Sequence, residues 1–470
     1  MNPNTKSISY PVGLENHRRG YVLRGLLLLS LLLVALIPSM AQKTTVSLKD
    51  AIQHALLQNQ NVRKAKLDVE NSRYQIDEVR AAALPQLSGT GALNYNPILQ
   101  LSALPGELAG QPGQTLLVAF GQKWNTSAGL SLSQNIFDQS VFTGLKAAKS
   151  TEEFYKLNAQ LTEEQIIELV ANAFYQLQVQ RQKIEVLDSN YNSSTRVRDI
   201  LKGQFENGLA RKIDVDRMNV TLSNIEAQRQ QLRNGIIQAE NQLKFLMGMQ
   251  IQQPIEVPEV EINSIHPEAI ADNDSLNLAE RTEMQILRQQ SKLLNYQKDS
   301  YTAQNYPTLG LTSNYTYQGL GNKFPLIKGP SQGVNWFDYA SVGVTLRVPI
   351  FRGGANKARI RQADVSIRKM DEDIANAELS LNLDFENAKS KLSSSIIILN
   401  NQKTNAELAQ EVFTNTQNNY NNGLATLTDL LDAESSLTQA QNNYSTALLD
   451  YKIAEIQLLK SKGKLKTLIN

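Results

Sequence analysis

Apolar residues at Ile166, Val170, Ala173, Leu177, Ile184 and Leu187 step by threes and fours, with one gap at Gln180. That spacing lines one face of an α-helix. Moved forward by 215 positions, the first five fall on Leu381, Phe385, Ala388, Leu392 and Leu399. The same shift carries Leu222, Ile225, Leu232, Ile236, Ala239 and Leu243 onto Leu437, Ala440, Ala447, Tyr451, Ala454 and Leu458, apolar onto apolar each time. Between the stripes stands Asn207-Gly208-Leu209-Ala210, repeated letter for letter as Asn422-Gly423-Leu424-Ala425. The chain is an internal duplication.

Both striped tracts lie where proline is missing, 113 to 253 and 350 to 470, as helix interiors require. Glycine after a long helix supplies the left-handed residue that ends it, and the preceding asparagine tolerates a turn, so each Asn-Gly-Leu-Ala is expected at the tip of a helical hairpin. The arm from Gln139 to Asn207 spans roughly 100 Å at 1.5 Å per residue. Helices that long, on a three-four spacing, supercoil around neighbours. An elongated coiled-coil body is the expectation.

Ahead of each helical tract the period changes from 3.6 to 2. Ala128, Leu130, Leu132 and Ile136 alternate with Ser127, Gly129, Ser131, Ser133 and Asn135. Ala340, Val342, Val344, Leu346, Val348 and Ile350 alternate with Ser341, Gly343, Thr345 and Arg347. Leu309, Leu311, Tyr315 and Tyr317 mark a third strand and Leu87 to Tyr95 a weaker fourth. Strands of about 9 to 12 residues with one greasy and one polar face suit a tilted transmembrane strand; they equally suit a half-buried sheet packed on the helices. The connections Asn96 to Asn125 and Gln318 to Phe337, rich in Gly, Pro and aromatics, favour the membrane, and Tyr95, Trp124, Tyr315, Tyr317, Trp336 and Tyr339 are expected near strand ends as a girdle. Four strands cannot close a barrel, and an open edge in lipid leaves backbone groups unpaired. Two chains give eight strands with a filled interior, whereas three give twelve and an open lumen.

Composition narrows the setting. Residues 1 to 41 carry Lys6, Arg18, Arg19 and Arg24, an apolar run from Leu26 to Ile37, and Ser39-Met40-Ala41, which together read as an export signal cleaved before Gln42. Without that segment, which holds four basic residues and Glu15, the formal charge moves from +2 to about −1, so nucleic acid is not an expected partner. The chain has no cysteine, which removes disulfides, thiol catalysis and a lipidated N-terminal cysteine. Beyond the signal only His54 and His266 remain, and no Gly-rich loop leads into Lys-Ser or Lys-Thr. No catalytic constellation, metal site or cofactor is expected.

Signal, duplicated strand pair and hairpin, and the Asn-Gly-Leu-Ala turns together resemble the TolC family of outer-membrane factors. The most specific stretches are Asn207 to Ala210 followed by Asp214, and Tyr420-Asn421-Asn422-Gly423-Leu424 followed by Asp429-Leu430-Leu431-Asp432-Ala433; Leu84-Pro85, Tyr306-Pro307, Ile136-Phe137 and Ile350-Phe351 frame the strands in the same style. The likeness divides the chain into the signal (1–41), a first repeat of helix, strand pair and hairpin (42–262), and a second repeat (263–470).

The resemblance implies a mainly α fold with a small β part: long coiled-coil hairpins forming an α-barrel, and four strands per chain in a trimeric twelve-stranded barrel in the outer membrane of a Gram-negative bacterium. It implies a passive duct of a tripartite efflux or type I secretion system, whose tips meet a periplasmic adaptor and, through it, an inner-membrane pump. By the same likeness Asp429 and Asp432 ring the entrance, Asp214 and Tyr420 help hold it shut, and Gly208, Leu209, Ala210, Gly423, Leu424 and Ala425 form the adaptor-contact tips. Ala425 stands where some members place an arginine bonding across the tip, so that latch is weaker here or built differently. Arg211 and Lys212 occur only in the first copy, making the tips chemically different. Thr426 and Asp429 also read as a helix capping box. The competing reading of the whole is a periplasmic coiled-coil adaptor or structural protein without a pore.

Overall fold

The computed structural model describes residues 44–110, 112–258, 276–325 and 330–469. The export signal, His266 and much of its proline-bearing connector lie outside the described residues. Seven α-helices and eight strands are described. α1 (Leu48–Gln58) and α2 (Gln60–Ala81) are separated at Asn59, whose extended backbone breaks the helix while its side chain accepts from the Asn61 amide. The hairpins are α3 (Gln139–Glu206) with α4 (Lys212–Met247), and α6 (Ala355–Asn421) with α7 (Leu427–Ser461); α5 (Thr282–Ala303) stands before the second strand pair as α2 stands before the first.

At 68 and 67 residues, α3 and α6 each run about 100 Å. The striped residues are their buried faces: Ile166, Val170, Ala173, Leu177 and Leu187 in one copy, Leu381, Phe385, Ala388, Leu392 and Leu399 in the other. A large apolar cluster gathers α1, the middle of α3, the end of α4 and the end of α7 around Ile52, Ile167, Leu177 and Met247. A second joins α6 to α7 around Phe385, Leu392, Leu448 and Tyr451.

The main sheet has the antiparallel order β2 (Gln86–Tyr95), β5 (Trp124–Phe137), β7 (Thr308–Gly321), β8 (Val334–Arg347). Its register places Leu87 opposite Leu132, Leu130 opposite Tyr315 and Leu311 opposite Val344, so the apolar rows of all four strands share one face and the Ser, Thr, Gly and Asn rows share the other. Among the described residues no helix covers either face; Leu87, Leu130, Val342, Val344 and Leu346 are all exposed. The half-buried sheet is thereby excluded. Among the described residues β2 and β8 each have one unpaired edge.

Three expectations need correction. β5, β7 and β8 are fourteen residues long rather than 9 to 12, because pairing continues through the aromatic and glycine positions at their far ends. The Asn96–Asn125 connection is not a plain loop; it holds the hairpin β3 (Leu101–Pro105) and β4 (Thr115–Ala119), runs too short for alternation to stand out. β8 stops at Arg347, short of Val348 and Ile350, since Pro349 has no N–H to donate. A small parallel pair, β1 (Thr44–Thr45) with β6 (Ile255–Glu256), closes the base of the first hairpin.

Aromatic pairing at the far end is real for most of the girdle: Tyr95 and Trp124 rings lie 4.5 Å apart, and Tyr317 stacks on Trp336 at 4.9 Å. Gly319 is required there, because a Cβ would sit 2.9 Å from the Trp336 ring. Tyr315 and Tyr339 do not belong to the end; they sit mid-strand on opposite faces, paired with Ala340 and Thr316, and the Tyr315 hydroxyl donates to Asp338 at 3.2 Å. Among the described residues no helix is long and apolar enough to cross a membrane.

Candidate functional site: the hairpin tips

Each long helix ends in the same way. Asn207 is the last residue before Gly208, which takes φ 75°; the Gly208 amide donates to Phe205 O at 2.9 Å and the Leu209 amide to Gln204 O at 2.8 Å. In the second copy Gly423 takes φ 74°, its amide donates to Tyr420 O at 3.0 Å, and the Leu424 amide donates to Asn419 O at 2.8 Å. This paired 6→1 and 5→2 closure satisfies the last carbonyls of the helix and turns the chain back. Both asparagines add a side-chain bond to the carbonyl four residues earlier. The turn therefore presents its apolar residue outward: Leu209 is 81 % exposed and Leu424 78 %. Ala210 and Ala425 are half-buried behind them.

The returning helices start differently. In the second hairpin the Asp429 amide donates to the Thr426 hydroxyl at 3.2 Å, while the Asp429 carboxylate accepts from the Thr426 amide at 2.8 Å and hydroxyl at 2.7 Å. This is the expected capping box, and its Thr426 hydroxyl and amide hold the Asp429 carboxyl below the usual carboxylate range. Asp432, one turn on, is exposed, and its carboxylate has no partner among the described residues. In the first hairpin Arg211 occupies the cap position and offers no cap bond. Its guanidinium instead donates to both oxygens of Asp214, at 3.1 and 3.3 Å. Of the basic pair found only in the first copy, Arg211 is thus engaged within its own tip.

The two tips lie side by side. Leu201 of α3, Met218 of α4 and Leu427 of α7 form a buried cluster against which Ala210, Val215, Tyr420 and Leu431 pack. Tyr420 is held above the usual phenol range, by burial first and by the Asp214 charge second. The structure thus brings Asp214 and Tyr420 together, whereas Asp429 and Asp432 share an exposed face of α7.

Sequence reasoning passed over the seam above the tips. There α3 and α4 meet α7 through polar bonds: Lys183 to Thr446 and Asn190 to Thr438, both 2.9 Å, Arg217 to Thr428 at 3.4 Å, and the Ser194 hydroxyl to the buried Glu434 carboxyl. Burial pushes Glu434 up, with the Ser194 bond pulling the other way. The signal was present: Leu427, Leu430, Glu434 and Leu437 step by three, four and three, which puts a carboxyl on an apolar face.

Comparison with known proteins agrees with this architecture. The profile described as "Outer membrane efflux protein" matches residues 51–249 and again 275–464. Outer membrane protein TolC of Salmonella enteritidis is 23 % identical over 426 residues, covering 89 % of this chain and 82 % of that protein. The probable efflux pump outer membrane protein TtgC of Pseudomonas putida is 22 % identical over 425 residues, covering 89 % and 83 %. The alkaline protease secretion protein AprF of Pseudomonas aeruginosa is 24 % identical over 342 residues, covering 70 % and 68 %. Among solved structures, the Campylobacter jejuni CmeC outer membrane channel superposes with a TM-score of 0.71 at 16 % identity, covering 89 % of this chain and 85 % of that one. CusC gives 0.70 at 17 %, covering 89 % and 93 %. With most of its length matched by one family profile and its fold shared with outer-membrane channels, the chain belongs to the outer membrane efflux protein family.

Proposed function

We propose that three copies of this chain close a twelve-stranded barrel in the outer membrane and continue it as a helical tunnel, forming a passive duct for efflux or type I secretion. The observation that carries this reading is the four-stranded sheet, apolar on one face, polar on the other, uncovered by helices and unpaired at β2 and β8. In lipid each unpaired edge group costs several kcal/mol, on the order of 2–7, so the edges must meet other copies, and twelve strands leave the polar face around a lumen.

A second feature supports the same assembly. On α6, Val365, Leu379, Leu383, Ile397, Leu408 and Val412 are exposed, and at 100° per residue they fall within an arc of about 60°. That is a seam without a partner in one chain. Asp429 and Asp432, three copies of each, form the cation-selective ring at the entrance; Asp214 with Tyr420 helps keep it narrow. Leu209 and Leu424, with their glycine and alanine neighbours, are the surface offered to a periplasmic adaptor, through which an inner-membrane pump is served.

Single-channel conductance of the mature protein in planar bilayers tests the duct and its ring together, comparing the parent with an Asp429→Asn, Asp432→Asn double variant. Trimer-sized pores whose cation preference falls in the double variant are expected. Unchanged selectivity would return both carboxylates to helix capping and surface. Folded protein that never inserts would sink the channel and favour the periplasmic coiled-coil alternative.

A further inference from the structure

Where β8 hands over to α6, the two copies part company. In the first, Asp138 caps α3 by accepting from the Ser140 amide at 2.8 Å and hydroxyl at 2.5 Å. In the second, Arg352-Gly353-Gly354 stands at that place, both glycines left-handed at φ 60° and 78°, and α6 begins with no side chain on its first amides. A helix start of this kind carries free N–H groups and partial positive charge.

Beside it is a groove of about 560 Å³ lined by Asn305, Ile350, Phe351, Arg352, Lys357 and Arg361. No Asp or Glu occurs from Tyr339 to Ala363, and Asp364, the next one, is tied to Lys298 at 2.7 Å. Across the fold, too, Arg352, Lys357, Arg359 and Arg361 make no ion pair among the described residues, although Asp138 lines the adjoining pocket shared with Arg352. Ile350 is 94 % exposed and Phe351 86 %, and Val348 and Ile350 continue the apolar row of β8 below the end of the strand. Asn356 also lines the groove. It is buried, its amide nitrogen donates to Tyr301 O and Asn305 Oδ1, both at 2.7 Å, and its Oδ1 has no partner. Those two acceptors fix the orientation of the amide, and its Oδ1 stays buried; what the groove presents is a cluster of cations beside exposed apolar side chains.

We propose that this groove binds the headgroup of an anionic phospholipid of the phosphatidylglycerol class, in the leaflet that faces the periplasm. The phosphate lies against Arg352, Lys357, Arg361 and the open amides of α6; the acyl chains continue along Val348, Ile350 and Phe351. Charge complementarity and continuity with the apolar face of the sheet select lipid over a neighbouring copy as occupant. The inference rests on the membrane-channel reading above.

The test uses the mature protein, purified as its assembly, stripped of lipid and offered phosphatidylglycerol, phosphatidylcholine or inorganic phosphate, with bound species counted by native mass spectrometry. The parent is expected to retain phosphatidylglycerol at least about tenfold over phosphatidylcholine, and an Arg352→Ala, Lys357→Ala, Arg361→Ala variant to lose at least about tenfold of that retention. An Arg352→Lys, Arg361→Lys variant keeps it. Equal retention in parent and alanine variant overturns the proposal. So does inorganic phosphate binding as well as the lipid, which makes this a soluble-anion site. An alanine variant whose assembly dissociates while lipid retention is unchanged also overturns it, making the cations contacts between copies. A parent that conducts but shows no lipid preference fails this proposal alone, whereas one that neither conducts nor inserts fails the channel reading.

Discussion

The two long helices are nearly equal in length and carry the same stripe, yet they live in different surroundings. α3 packs against α1, α2, α4, α5 and α7, whereas α6 packs mainly against α5 and α7. Buried positions run down α3 as far as Leu201 near its tip; on α6 the last is Leu399, leaving the final 22 residues without one. Duplication supplied two equal arms, and assembly has used them unequally. One is the spine of the protomer and the other an open flank, which a neighbouring copy completes in the proposed trimer.

The largest effects should separate those roles. Ile167 is fully buried in the cluster around the spine, and Ile167→Ala is expected to cost about 2–5 kcal/mol in any assembly state, read as a lower midpoint in denaturant. Leu408, on the exposed seam of α6, should cost under about 0.5 kcal/mol to the isolated fold, while Leu408→Ala weakens the trimer, read by mass photometry on dilution. Equal loss of fold stability at both positions would break the comparison.

The spine meets α7 across the polar seam, and Ser194→Ala tests what that seam contributes. Removing the hydroxyl leaves the buried Glu434 carboxyl without its donor, a cost of about 1–3 kcal/mol. The pH dependence has a definite sign. Because burial raises the Glu434 pKa in the folded protein, the folded state binds this proton more tightly than the unfolded chain does. Its contribution is full below the unfolded value and is lost as pH rises through the raised one. Thermal midpoints measured across that window should fall with rising pH in the parent and flatten in Glu434→Gln. A parallel slope in both would remove Glu434 as the source.

Much of this was legible in residues whose chemistry is local. Proline-free tracts, the three-four stripes and the two Asn-Gly-Leu-Ala turns fix the helices and their ends, because stripe and turn are each decided within a few residues. The strand faces were readable for the same reason, from a strict period of two. What the chain did not announce depends mostly on partners distant in sequence: the packing of Tyr420 beside the first tip and the Ser194–Glu434 bond across 240 positions. The β3–β4 hairpin and the Arg211–Asp214 pair are local, but runs of five residues and a single charge pair are too short to stand out as a pattern. The opening at the head of α6 falls between these cases. Its glycines and cations are visible in sequence, but the unpartnered Asn356 oxygen appears only once α5 has been laid against it.

Between the tips themselves the expected differences are small. Gly208→Ala and Gly423→Ala should each cost about 1–2 kcal/mol, since both turns need a left-handed residue and neither has a neighbour within 4 Å of the added Cβ. Values differing by more than about 1 kcal/mol would mean the two turns are not equivalent in the assembled protein.

The smallest effect discriminates best between the two starts of the returning helices. Thr426→Ala removes a capping box and should cost about 1 kcal/mol. Arg211→Ala removes only an ion pair whose arginine side chain is 79 % exposed, and should cost between about 0 and 1 kcal/mol in low salt and less in high salt. The cap is a short-range bond to backbone that salt does not screen, so Thr426→Ala should behave alike at both ionic strengths. Denaturant midpoints at two salt concentrations check this. A salt-insensitive loss for Arg211→Ala would show that its guanidinium holds more than Asp214, which in the assembled channel points to the tip of the adjoining copy.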